Sequence, residues 1–253
     1  MRSLPIAIAA AIAVATFASG CSIGDGTGSV IGTINAPDCW TGKFDLRPNF
    51  FVADPYRNTL QLRIQRGSDY QTFSDGLSIL IDDVAAIRGT DETPSLYNKP
   101  LPVGMPPAVM PAGVPIQVVK DPAIIHAALY LQRSCSSQNI TLYASEVVSL
   151  AEDGSCDGPL PTEEERRREC AAAPGGRAPK TARSTMTFAQ LFNGNPEEAS
   201  AAKRLNDASY DLYLADPREV CPGGIGPPPR CRGHLTGSFH FYFERGRPAQ
   251  PFP

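Results

Sequence analysis

Apolar residues in this chain recur mostly at every second position, in short runs divided by Gly, Pro, Asn and Asp. A period of two sends alternate side chains to opposite faces of an extended backbone, so the pattern predicts half-buried β-strands. The run at 234–244 is the clearest. Leu235, Gly237, Phe239, Phe241 and Phe243 share one side, and His234, Thr236, Ser238, His240, Tyr242 and Glu244 share the other. Over 59–66, Leu60, Leu62 and Ile64 alternate with Gln61, Arg63 and Gln65, and Leu77, Ile79 and Ile81 repeat the pattern before Asp82-Asp83. Ile125, Ala127, Leu129 and Leu131, followed by a run from Ile140, predict a hairpin across the polar turn 134–139. Shorter strands are expected at 30–34, 43–46 and 49–53, around Met186, Phe188 and Phe192, and over 208–214, the last pairing with the final strand.

Between 88 and 122 the alternation stops. Pro94, Pro100, Pro102, Pro106, Pro107, Pro111, Pro115 and Pro122 each remove a ladder donor, which excludes central strands and leaves 114–119 as an edge strand. Long loops over a sheet end are expected, with a PxxP recognition segment as the alternative. Asp121-Pro122 has the form of a helix start, set against the alternation that follows it. Residues 151–180 form a charged insertion. Within it Thr162 and Glu165 make a capping box, and Glu163 and Glu164 lie four residues before Arg167 and Arg168, predicting a solvated helix. A second helix is expected from Asn195, with Pro196, Glu197 and Glu198 at its start and Lys203 and Arg204 near its end.

The 25 prolines and 22 glycines argue against long helices. The expectation is therefore an all-β fold: an antiparallel β-sandwich with two short surface helices, stapled by disulfides, forming one domain over 30–253.

The first twenty-one residues depart from everything after them. Arg2 precedes an uncharged, mostly apolar run over 4–17, then Ala18-Ser19-Gly20 leads into Cys21. The run is shorter than the ~20 residues of a spanning helix and contains Pro5, so it reads as an export signal over 1–20 with lipid added at Cys21. Cysteine arithmetic agrees. Of seven cysteines, assigning Cys21 to lipid leaves six, an even set suited to an oxidising compartment. Cleavage by an ordinary signal peptidase would instead leave Cys21 as a spare exposed thiol. Ser22 after the cysteine favours the outer membrane over inner-membrane retention, and the Gly-rich stretch 21–29 reads as a flexible tether. Gly24, Gly26 and Gly28 have neither a preceding strand nor a following Lys-Ser or Lys-Thr, so they do not make a phosphate loop.

Cys39, Cys135, Cys156, Cys170, Cys221 and Cys231 are the disulfide candidates, and sequence leaves their connectivity open. Proximity ranks Cys221 with Cys231 across a Pro/Gly loop and Cys156 with Cys170 across the insertion, leaving Cys39 with Cys135. Zinc or redox chemistry at these cysteines lacks a CxxC and a ligand-spaced histidine pair.

No catalytic, cofactor or metal residues emerge. The chain has three histidines, and His234 and His240 share a strand face about 20 Å apart at ~3.3 Å per residue, too far to hold one ion. There is no GxSxG elbow, HExxH or Walker pattern. Asp82-Asp83 reads as a solvated turn. Trp40 offers a sugar-stacking ring or a partner for the neighbouring Cys39 disulfide, and the second role is expected. With a net charge of −3 and no basic stripe, nucleic acid is excluded as a partner.

The Cys21 signal, Phe44-Asp45-Leu46, Leu214-Ala215-Asp216-Pro217-Arg218-Glu219 and the close Arg245-Gly246-Arg247-Pro248-Ala249-Gln250-Pro251-Phe252 together resemble uncharacterised lipoproteins of the myxobacterial type. The likeness is one of layout across the mature chain; it implies location and carries no catalytic residues. The expected role is that of a lipid-anchored envelope or surface protein, tied to the membrane by acyl chains such as palmitate. That role is non-catalytic: binding a protein or glycan partner, or structural. The alternative is an exported hydrolase whose acidic residues converge in space.

Overall fold

Each alternating run within the described residues becomes a strand. The computed structural model describes residues 26–37, 39–67, 74–106, 123–135, 140–171, 179–222 and 226–244. The signal with Cys21, the 114–119 edge strand, the Asp121-Pro122 helix start and the closing segment 245–252 lie outside the described residues.

In chain order the strands are β1 (Gly26–Ala36), β2 (Trp40–Leu46), β3 (Phe50–Tyr56), β4 (Thr59–Arg66), β5 (Asp75–Ile81), β6 (Leu101–Gly104) and β7 (Ile125–Leu131). They continue with β8 (Ile140–Ala144), β9 (Val148–Ser149), β10 (Thr181–Ala182), β11 (Thr185–Gln190), β12 (Leu205–Ala215) and β13 (Gly233–Tyr242). Two short helices are present, α1 (Val84–Arg88) and α2 (Glu163–Ala171). The fold is all-β and sandwich-like. One layer runs β2-β1-β13-β12-β11, the other runs β3-β4-β5-β7 with β8 beyond, and β9 pairs β10 in a small separate sheet. The two layers are continuous, because β6 pairs both β11 and β7 while β8 pairs both β7 and β12. Every described pairing between strands is antiparallel except that of β6 with β7.

The predicted inner faces meet in one core. Leu60, Leu62 and Ile64 of β4, Leu77, Ile79 and Ile81 of β5, and Leu235, Phe239 and Phe241 of β13 are fully buried or nearly so. Phe51 of β3 packs 5.4 Å from Phe241 across the layers. The β12–β13 pairing expected from the sequence runs from Leu205↔Tyr242 to Leu214↔Gly233. Arg63 and Gln65 depart from simple alternation, since they are buried on the outer face of β4. Polar partners make that burial tolerable. The Tyr130 hydroxyl donates to Gln65 Oε1 at 2.7 Å, Gln65 Nε2 donates to the Gly67 carbonyl, and the Arg63 guanidinium lies 5.2 Å from the Tyr130 ring centre.

Several expectations need correction. The prolines of 88–122 do not exclude a central strand: β6, with Pro102 opposite Thr185, lies between β11 and β7, and its ladder to β7 begins only at Val103, so it draws no donor from Pro102. Residues 26–29 are not tether: they begin β1 and pair with Phe241 back to Ser238 of β13. The glycines serve close packing there. A Cβ on Gly26 would lie 2.5 Å from Phe241 Cβ, and one on Gly28 would lie 3.0 Å from the Phe51 ring. The second predicted helix is replaced by a turn at Asn195 and a 3-10 turn at Ala202–Arg204. Asn195 Oδ1 accepts from Glu197 N, and Glu198 Oε1 accepts from Ser200 N, so the acids close local turns. The helix the sequence reading lacked is α1, where Asp83 accepts from Ala86 N at 2.8 Å and Gly89 closes the end. Asp83 is therefore an N-cap and not simply a solvated turn residue.

A further correction concerns connectivity. The disulfides are Cys39–Cys135, Cys156–Cys231 and Cys170–Cys221, so Cys39 with Cys135 is the one ranked pair that is present. Backbone pairing explains the exchange of partners. Ser149 N donates to Pro229 O and Cys231 N donates to Ser149 O, which lays the 228–231 segment along the strand that precedes Cys156. Cys221 instead faces α2, where Cys170 lies.

Candidate functional site

The charged insertion is fixed to the domain from within. Its helix begins as the sequence predicts: Thr162 N and Thr162 Oγ1 donate to Glu165 Oε2 at 2.8 and 2.9 Å, and Glu165 N donates back to Thr162 Oγ1. Glu164 accepts from Arg167 and Arg168 on the solvent side. Expectation and structure part at Arg166. This side chain is buried and donates to the Glu219 and Pro227 carbonyls as well as to Glu169 Oε2. With the Cys170–Cys221 bond it turns one side of a very polar helix into an attachment face.

Beneath α2 lies a set of interlocked charges. Glu219 is buried, accepting from Arg230 N with one oxygen and from the Arg232 guanidinium with the other. The Arg230 guanidinium donates to Glu169 Oε1 at 2.7 Å, which links Glu219 to the helix. Glu219 is presented by the short 3-10 turn Pro217–Glu219, capped by Asp216, whose Oδ1 accepts from Arg218 N at 2.9 Å. Burial pushes the Asp216 carboxyl up, but hydrogen bonds and charge from Arg218, with Arg232 beyond, outweigh it and hold the group below its ordinary value. The Leu214–Glu219 stretch is thus the hinge between β12 and this charged layer.

Two clefts open beside it. One, of about 350 Å³, is lined by Pro159, Leu160 and Pro161 together with Glu165, Arg168, Glu169 and Arg230. The second, of about 600 Å³, lies under the 149–159 loop and shares Pro159 and Arg230 with the first. A lining that mixes apolar residues with guanidinium and carboxylate groups suits a ligand with both a nonpolar body and polar substituents, such as a peptide or glycan. Of the carboxylates lining the clefts, Glu169 is engaged by Arg166 and Arg230, Glu165 by Thr162, and Asp153 by Ser155 N. Among the described residues no group of three His, Cys, Asp or Glu side chains is placed to hold a metal ion.

The other residues singled out from sequence are dispersed. Each histidine meets its own aspartate: His126 with Asp82 at 3.0 Å, His234 with Asp211 at 2.6 Å, and His240 with Asp207 at 3.0 Å. His126 also lies 3.3 Å from the Gly104 carbonyl, on the strand pair that joins the layers. Trp40, partly buried, packs against the core beside Cys39, meets Phe44 edge-on at 5.7 Å and donates its indole N–H to the Lys43 carbonyl. Asp75, at the start of β5, accepts from Arg133 N, Ser134 N and Ser134 Oγ, fixing the turn that carries Cys135.

Sequence reasoning missed Arg166, Glu219, Arg230 and Arg232 as a unit. They are separated by up to 66 positions, and each looks like an ordinary surface charge in its local context. Among the described residues no helix is long and apolar enough to cross a membrane. No protein-family model, curated protein or solved structure matches the chain.

Proposed function

We propose that the protein is an exported, lipid-anchored component of the cell envelope, attached to the outer membrane through acyl chains on Cys21. Its role is non-catalytic: it binds an envelope protein or glycan, or supports one structurally, with the paired clefts beside α2 as the recognition surface. The observation that carries this reading is the cysteine census. Six of the seven cysteines are joined in three disulfides, and the remaining one is Cys21, at the end of the signal-like segment. Three disulfides in one domain fit an oxidising space outside the cytoplasm, and a cysteine with no partner there calls for another covalent fate. The layout shared with uncharacterised myxobacterial-type lipoproteins points the same way. The hydrolase alternative draws no support from the charged layer, because Glu169 and Glu219 are held by Arg166, Arg230 and Arg232.

Replacing Cys21 by serine tests the anchor. The expected outcome is a shift from the detergent-rich to the aqueous phase on phase partition, with the fold and the three disulfides retained. Unchanged membrane association of Cys21→Ser, with no lipid on the wild-type residue, would sink the reading.

A further inference from the structure

We propose that the domain stands end-on upon the bilayer, with the Gly26 end of β1 at the lipid headgroups and Tyr56 and Tyr242 resting among them. This inference rests on the lipid anchor at Cys21 and adds to it a membrane-contacting surface and an orientation. The leash is short. Because β1 begins at Gly26, only five Cα–Cα steps separate the lipidated residue from the first paired strand position, a reach of about 18 Å even when fully extended. β1 then runs to Ala36, about 33 Å farther along at ~3.3 Å per residue. One end of the sandwich is therefore held at the membrane and the other can stand clear of it.

Strand register identifies what lies at the held end. Gly26 is opposite Phe241, and the adjoining Tyr242 is opposite Leu205, directly after Lys203 and Arg204. Phe243 N donates to Arg204 O, and Asn193 N donates to Lys203 O. Gly194 lies against the Arg57 carbonyl, which brings the tip of the β3–β4 hairpin to the same end. Tyr242 is 38% exposed and Tyr56 is 65% exposed, and they are two of the three large apolar side chains exposed among the described residues. Tyrosine favours the membrane interface, where its ring meets hydrocarbon and its hydroxyl stays hydrated. The Arg57 guanidinium, 5.3 Å from the Tyr56 ring centre, is placed to meet headgroup phosphates. Basic Arg57, Lys203 and Arg204 are offset at this end by Glu197, Glu198 and Glu244, so the aromatic side chains and the short leash carry the contact, not net charge.

A side-on posture is less favourable. The third exposed apolar residue, Ile31, lies on the broad outer face of β1, opposite Asp45 and Thr236. Toward the far end the same face carries the Asp211–His234 pair, which only a side-on membrane would have to desolvate; Tyr242 shares this face at the Gly26 end, 6.0 Å from the His240 ring. In the end-on posture the clefts point outward. Asn35 Nδ2 donates to the Gly158 carbonyl and Asn35 N donates to Arg232 O, so the insertion caps the far end of β1.

The single tryptophan makes the orientation measurable. Trp40 pairs with Ala36 at the far end. In lipidated protein reconstituted into vesicles of zwitterionic and anionic phospholipid, lipids brominated near the headgroup should leave Trp40 emission unchanged. In a Trp40→Phe background, Tyr56→Trp and Tyr242→Trp should each lose most of their emission to the same lipids. Wild-type protein supplies the converse reading even if one variant does not fold. Intact mass on the same sample separates the two claims. Absence of a diacylglyceryl group on Cys21 overturns both. A lipidated protein whose Trp40 is quenched as strongly as the indole introduced by Tyr56→Trp or Tyr242→Trp overturns the end-on orientation alone.

Discussion

Replacing Cys39 and Cys135 together by alanine is expected to lower the unfolding free energy by about 4–5 kcal/mol, from the loop-closure entropy of a chain segment near one hundred residues long. This bond spans 96 positions, the longest separation of the three, and joins the β1–β2 turn in one layer to the turn after β7 in the other. It also ties a turn already ordered by three donors to Asp75, so the native state does not have to rearrange to form it. Urea unfolding of the double variant beside wild type measures the effect. A loss below about 1 kcal/mol would mean that the unfolded chain is constrained by other means.

The second large effect is expected at Glu219. Glu219→Ala should destabilise the protein by about 3–5 kcal/mol, because it strands Arg232 and the Arg230 amide in a largely buried layer. The comparison variant is Arg167→Ala. Its side chain is 75% exposed and its partner Glu164 is half exposed, so its loss should cost no more than about 1 kcal/mol. Thermal or urea unfolding of the two variants side by side gives the contrast. Similar losses would show that the layer beneath α2 is solvated and that α2 is held by its disulfide alone.

These two sites mark what the sequence could and could not disclose. The strands were legible because an apolar face of each packs in the core, which writes a period of two into Leu60–Ile64 or Leu235–Phe243 even where polar residues on the other face are buried too. The capping box at Thr162 was legible because both partners lie within one helical turn. Disulfide partners were not, since nearness in sequence favoured Cys221 with Cys231 while the Ser149–Arg230 bridge carried Cys231 to Cys156. The glycines at 26 and 28 illustrate the same limit. A linker and a close-packed stretch of a β-layer use the same residues, and only the approach of the Phe51 ring and the β13 backbone tells them apart. Glu219 and Arg166 needed the fold itself, because their burial comes from α2 lying across the chain between β12 and β13.

Position then gives these details a common sense. In the proposed posture the leash holds the Gly26 end of β1, while the disulfide-braced, charge-locked layer with the two clefts sits at the opposite end. Bracing of that kind would let a recognition surface bind at low ordering cost. An unbraced insertion of mean polarity this high would have little apolar area with which to hold itself in place.

The most direct test of the central claim is mass mapping of the protein purified from cell envelopes without reduction. The account predicts a mature chain beginning at Cys21 with a diacylglyceryl thioether on that residue, and linked peptides for Cys39–Cys135, Cys156–Cys231 and Cys170–Cys221. A Cys21 still preceded by residue 20, or joined in a disulfide to any of the other six, would contradict it.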